Sequence, residues 1–131
     1  MDRIPPHLQD LLTDDTKAYL HLATTMPDGT PQVTPVWFNT DGAHILLNTA
    51  RGRVKARNMS ARPSVACLIV DPKDPYRYLQ IRGKVVEETE EGADDHIRDL
   101  ALKYRGKREF EIGDDTRVIY KVRPDHVYPS G

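Results

Sequence analysis

The sequence predicts a mainly β domain: six antiparallel strands closing into a barrel, with short flanking helices. Two observations carry this. Alternating apolar segments separated by turn residues recur along the chain, and only three segments have helical character. Three helices are too few to serve as crossovers in a parallel sheet, so the strands pair antiparallel. Closure then removes the unpaired edges. With 131 residues, the chain fits one domain spanning 1–131.

The elements follow in order. Ile4, Leu8, Leu11 and Leu12 recur at helical spacing behind Pro5-Pro6, giving a short helix over 4–13. Residues 17–25 alternate as a strand, Pro27-Asp28-Gly29 turns the chain, and 31–39 forms a second strand. Asp41-Gly42 makes the next turn and 44–49 the third strand, completing a meander. A helix over 52–61 stops at Pro63, and 64–70 and 78–88 follow as strands. In the latter, Leu79, Ile81, Gly83 and Val85 share a face, and Gly83 signals a bulge or a close backbone approach. Residues 93–105 form the clearest helix, with an Ile97, Leu100, Ala101 and Tyr104 stripe, acids first, Lys103 and Arg105 last, and Gly106 as its stop. A last strand, 116–122, precedes a tail with Pro124 and Pro129.

Composition excludes several classes of function. A formal net charge of −1 gives no general attraction to nucleic acid or to an anionic membrane. Cys67, the single cysteine, lies in the apolar run PSVACLIV and reads as a small buried hydrophobe. No apolar run approaches the ~20 residues that span a bilayer. The N-terminus lacks a signal-peptide apolar region, so the expected location is the cytoplasm.

Against that near-neutral background, TARGRVKARNM stands out, with four cations between Arg51 and Arg57. At the junction of a strand and a helix, side-chain cations and unpaired backbone amides converge, which favours phosphate. The competing reading is a solvated helix face. Asn58 falls on a partly apolar face and needs hydrogen-bond partners there, so its spacing suits fixing the loop. In the second strand, Pro35 places an edge or a bulge two residues before Trp37, the only tryptophan. That ring either walls a planar ligand or packs the barrel.

The five histidines show no metal-ligand spacing, and His21 and His44 are near one another only if their strands meet. No nucleophile elbow, P-loop or dinucleotide fingerprint is present, so an enzymatic role would leave the hard chemistry to a cofactor.

Three stretches together resemble the pyridoxamine 5′-phosphate oxidase-like split β-barrel proteins, and within them the branch that uses the deazaflavin F420. They are the ATxxxDGxPxxxPVWF run from Ala23, the K-x-R-N of Lys55, Arg57 and Asn58, and the strand from Arg62 to Asp71. YLQIRGKVVE fits the same pattern. The resemblance implies an FMN-binding-type split barrel working as a homodimer, with cofactor sites at the subunit interface. Arg53, Lys55 and Arg57, with Asn58 beside them, would hold the cofactor phosphate. Thr34, Pro35, Val36 and Trp37 would line the ring, and Asn48, Thr49 and Ala50 the ribityl chain. Tyr78, with Tyr76, would complete the wall from the other subunit. The implied activity is hydride transfer between F420 and a small organic acceptor. FMN is the alternative cofactor, and non-catalytic binding of a cofactor or tetrapyrrole the alternative role. No metal is expected, no residue claims a catalytic role beyond Tyr78 and His21 as nominal proton donors, and Arg51, Arg82 and Lys84 are spare cations for the F420 tail.

Overall fold

The computed structural model describes residues 3–130. Its strands are β1 (Tyr19–Thr25), β2 (Pro31–Val36), β3 (Phe38–Thr40), β4 (Ile45–Ala50), β5 (Ser64–Asp71), β6 (Asp74–Thr89) and β7 (Arg117–Pro129). Helix α1 (Val54–Ala61) joins β4 to β5, and α2 (Ala93–Arg105) joins β6 to β7. A 3₁₀ helix, Pro6–Leu12, precedes β1, and its period of three brings Leu8 and Leu11 together into the core.

All strands form one antiparallel sheet in the order β2-β1-β5-β6-β7-β4-β3. Its two edge strands, β2 and β3, are consecutive in the chain and separated by Trp37 alone. Edges one residue apart require the sheet to curl almost onto itself. This corrects the expected count of six strands to seven. The predicted strand 31–39 breaks at Trp37, pairing with β1 before the break and with β4 after it.

Pro35 is accommodated because β2 has a partner on one side only. The last strand also runs further than expected, through the predicted tail. Beyond Val122, β7 has left β4 and pairs with β6 alone, so Pro124 and Pro129 forfeit no ladder bond on the free side.

The interior is a continuous apolar cluster: Leu20 and Leu22 of β1, Cys67 and Ile69 of β5, Leu79 and Ile81 of β6, with Val118, Tyr120 and Val122 of β7. Met59 and Ala56 of α1 close one end of it. Burial holds the Cys67 thiol protonated, its pKa pushed up to about 12.

Gly83 fulfils both of its sequence-based readings. The register shifts between Arg82 and Gly83, and a Cβ at that position would run into the Arg123 carbonyl on β7. Gly83→Ala therefore forces two backbones apart in mid-sheet. We expect it to lower stability by about 1–3 kcal/mol, read as a lower urea midpoint at unchanged slope. An unchanged midpoint would show that the ladder yields there without cost.

Candidate functional site

The break at Trp37 is held from α2. Lys103 Nζ donates to the Phe38 carbonyl at 2.7 Å and lies 4.1 Å from the Phe38 ring centroid. The Tyr104 hydroxyl accepts from the Phe38 N–H at 3.3 Å and donates to the Ala18 carbonyl at 2.6 Å. One turn of helix thus satisfies the backbone where the chain changes partners, a place where unmade hydrogen bonds would be costly. The same Tyr104 ring stacks on Trp37, centroids 5.2–5.3 Å apart along the series Tyr19–Tyr104–Trp37. Burial lowers the Lys103 pKa to about 8, opposed by Asp14 at 3.7 Å, so the ammonium keeps most of its charge at neutral pH.

A cavity of about 310 Å³ opens beside this stack, within the usual ~300–1,000 Å³ range of ligand pockets. Its ring-like wall is Tyr19, Pro35, Val36, Trp37 and Phe110, with Ile97 of α2 behind. Asn48 and Thr49 come from the end of β4. Four cations line it, Arg53, Lys55, Arg105 and Arg117, and no carboxylate does. Arg105 lies 4.8 Å from the Trp37 ring centroid, and Arg117 lies 5.2 Å from that of Phe110.

The electrostatics match this lining. Burial, then Arg53 and Arg117, lower the Lys55 pKa. Burial comes first for Arg117 too, whose pKa is lowered, with Asp115 pulling the other way at 3.7 Å. The cations repel one another across a space that an anion would neutralise. Helix α1 starts at this point with Arg53 as its N-cap and no side-chain capping hydrogen bond, so its first amides add partial positive charge beside Lys55.

Of the expected binding residues, the fold brings Pro35, Val36, Trp37, Asn48, Thr49, Arg53 and Lys55 into the cavity lining. Thr34 adjoins them, its hydroxyl 3.4 Å from Lys55 Nζ. Ala50 is buried just behind, at the end of β4. Arg57 is exposed on α1 and does not line the cavity. Nor does Asn58, which is buried and donates to Thr24 Oγ1 at 3.0 Å while accepting from Arg62 at 3.0 Å. It ties α1 to β1, as its apolar-face position suggested. Tyr78 lies on the outward face of β6, next to Val70 of β5, and lines nothing here. His21 points outward from β1 and does not share a ladder with His44, which bonds Asp41. Arg51 is committed to Glu88 at 2.8 Å and Glu90 at 3.1 Å, and Arg82 to the Tyr128 hydroxyl at 2.6 Å.

Tyr19, Ile97, Arg105, Phe110 and Arg117 were not legible as site residues. Arg105 read as an ordinary last-turn helix cation. Arg117 reaches the site only because β7 pairs with the end of β4, Ala50 opposite Arg117. Among the described residues, no cluster of metal-ligating side chains occurs, and no helix is long and apolar enough to cross a membrane.

Fold and cavity together define a split β-barrel with a cationic, aromatic-walled ligand site. The sequence profile of the pyridoxamine 5′-phosphate oxidase family matches residues 4–131, and the chain belongs to that family. A solved structure described as an F420 reductase is 38% identical with TM-score 0.84, covering 95% of this chain and 98% of its own. A conserved hypothetical protein from Mycobacterium tuberculosis is 22% identical with TM-score 0.74, covering 95% and 83%. HutZ, the haem storage protein of Vibrio cholerae, is 15% identical with TM-score 0.70 over 98% and 96%. The last two share the fold. No match was found among curated proteins. Family membership and the 38% identical structure support an oxidoreductase-type function.

His96 provides a test of the polar wall behind the cavity. Burial depresses its pKa to about 4, with Asp99 opposing and Arg117 assisting. The unfolded chain therefore binds a proton that the native ring refuses between pH 6.5 and 4. That contribution is complete above pH 6.5 and fades as the pH falls toward 4, by roughly 3 kcal/mol in all. Asp41, lowered to about 2, acts in a separate window below pH 3.8. Urea midpoints of the parent and of His96→Asn should converge across pH 6.5 to 4, and parallel pH profiles would contradict the assignment.

Proposed function

We propose that the protein is an F420-dependent reductase acting on a small unsaturated organic acceptor. The observation that carries this is the cavity itself: aromatic on one side, with four cations and no carboxylate on the other. A flavin-type cofactor has that shape of demand, a planar ring joined by a polyol chain to a phosphate. Arg53, Lys55 and the first amides of α1 would take the phosphate, Asn48 and Thr49 the chain, and Pro35 to Trp37 the ring edge. Likeness to the F420 reductase favours F420 over FMN.

Held by Arg53, Lys55, Asn48 and Thr49, reduced F420 would supply the hydride and be oxidised, and the acceptor's proton would come from solvent. The protein's part is to orient ring and acceptor against the Tyr19–Tyr104–Trp37 stack and to limit water. A non-catalytic carrier of the same cofactor is the remaining reading, and turnover separates it.

The working unit we propose is a homodimer. Tyr19 belongs both to the cavity and to the outward sheet face that includes Val33, Leu68, Tyr78 and Tyr128, all at least 36% exposed. Burying that face against a second copy removes apolar area from water and covers the cavity's open side. Light scattering should give twice the monomer mass of 14.9 kDa, and a monomer throughout the micromolar range would contradict it.

Fluorescence titration tests the cofactor. F420 is expected to bind saturably, and Lys55→Ala and Arg53→Ala each to weaken it by roughly tenfold or more, the worth of a charge-assisted hydrogen bond. Thermal stability should barely change, since Arg53 is exposed and Lys55 only half-buried among other cations. Saturable binding of FMN alone would overturn the F420 assignment. Equal affinity in both variants would move the phosphate elsewhere.

A further inference from the structure

Behind the cavity wall, four side chains from four elements form one hydrogen-bonded line: Asn39 of β3, His96 of α2, Asn48 of β4 and Arg117 of β7. Arg117 Nε donates to Asn48 Oδ1 at 2.9 Å. Arginine has no acceptor, so this contact fixes which way the Asn48 amide faces. Its Nδ2 must then point to α2, where it donates to the Ala93 carbonyl at 2.8 Å and to His96 Nδ1 at 3.1 Å. A donor at Nδ1 leaves that nitrogen without a proton. The ring's proton sits on Nε2 and is donated to Asn39 Oδ1 at 2.8 Å. One orientation of each amide and one tautomer satisfy every contact.

Arg117 is 8% exposed, with Nε spent on Asn48 and its nearest carboxylate, Asp115, 3.7 Å away. Arg117 lines the cavity, its guanidinium carbon 5.2 Å from the Phe110 ring centroid. An arginine held this way has given up its rotamer freedom before any ligand arrives, so less is lost when it grips an anion.

We propose that His96 is a positioning residue that, through Asn48, aims the Arg117 guanidinium into the cavity as an anion-binding group for the ligand. Four groups face the ring: Asp99 from its own helix, Arg117 from β7, and the neutral amides of Asn39 and Asn48 from β3 and β4. Protonating Nδ1 would set one donor against another and break the line at Asn48.

Substitutions that keep different halves of the imidazole test this. In His96→Asn, the side-chain oxygen takes the place of Nδ1 and still accepts from Asn48. In His96→Gln, the longer amide reaches Asn39 and leaves Asn48 without that acceptor. Nitrogen-15 spectra of the arginine Nε–H groups, with no ligand present, should show Arg117 slow to exchange in the parent and in His96→Asn. In His96→Gln its exchange should quicken by roughly tenfold, the effect of one lost hydrogen bond. Asn48→Asp sets a carboxylate against Nδ1 and should raise the His96 titration from about 4 to above 6.5. If the Asn and Gln variants behave alike, or Asn48→Asp leaves the titration where it was, His96 only fills space and the proposal falls.

The ligand arm rests on the function proposed above and uses F420 and FMN as probes. Affinity should fall roughly tenfold in His96→Gln and stay within about threefold in His96→Asn. Undiminished affinity in His96→Gln would overturn the role of Arg117 while leaving the cofactor reading intact. Failure of both probes to bind the parent protein would instead overturn the cofactor reading, and the role of Arg117 with it. The ligand-free spectra decide the His96–Asn48 step in either case.

Discussion

The fold depends on a single-residue link. The first and last strands of the sheet are joined through Trp37, so seven strands must curl until their edges lie one residue apart. A chain that switches partners so abruptly strands backbone polar groups at the switch. Lys103 and Tyr104 answer that need from the last turn of α2, through the Phe38 carbonyl and N–H. Burying the Lys103 charge is costly, and the Phe38 carbonyl, the Phe38 ring and Asp14 offset the cost. The stack of Tyr19, Tyr104 and Trp37 follows from the same attachment, and the cavity lies beside it. Closing the barrel and shaping the site are one structural event.

Carboxylates decide which cations remain available to a ligand. The chain is almost neutral, with 19 Lys and Arg against 20 Asp and Glu. Acids hold several of the cations away from the cavity: Glu88 and Glu90 hold Arg51, Asp10 and Asp71 hold Arg77, and Asp95 and Asp99 hold Arg108. At the cavity Arg117 has Asp115 at 3.7 Å and feels Asp94 more weakly, and neither carboxylate lines the cavity. A local excess of positive charge in a neutral protein favours a specific anion over bulk attraction to nucleic acid or membrane.

Local rules made much of the fold legible. Period-two alternation located β1, β4, β5 and β6, and the acids, stripe and terminal glycine of α2 marked both of its ends. What failed depends on pairing. The break at Trp37 requires knowing that β2 has no second partner, and the run of β7 through Pro124 requires knowing where β4 stops. The site divides along the same line. Arg53 and Lys55 sit in one contiguous motif and were visible, whereas Arg105, Phe110 and Arg117 enter only when α2 and β7 fold back over β4. His96 carried no reading beyond the lack of metal-ligand spacing and Lys103 read as a last-turn cation; their burial follows from partners dozens of residues away, Asn39 and Phe38.

On the proposed function, a phosphate-bearing, planar cofactor occupies the cavity beside the Trp37 link. A crystal structure of the protein with F420 tests it most directly. The phosphate is expected within hydrogen-bond reach of Lys55 Nζ and the Arg53 guanidinium, with the ring against the wall formed by Pro35 to Trp37. Ligand density in the other cationic groove, between Arg98 and Arg108, with the Trp37 cavity filled only by water, would contradict it.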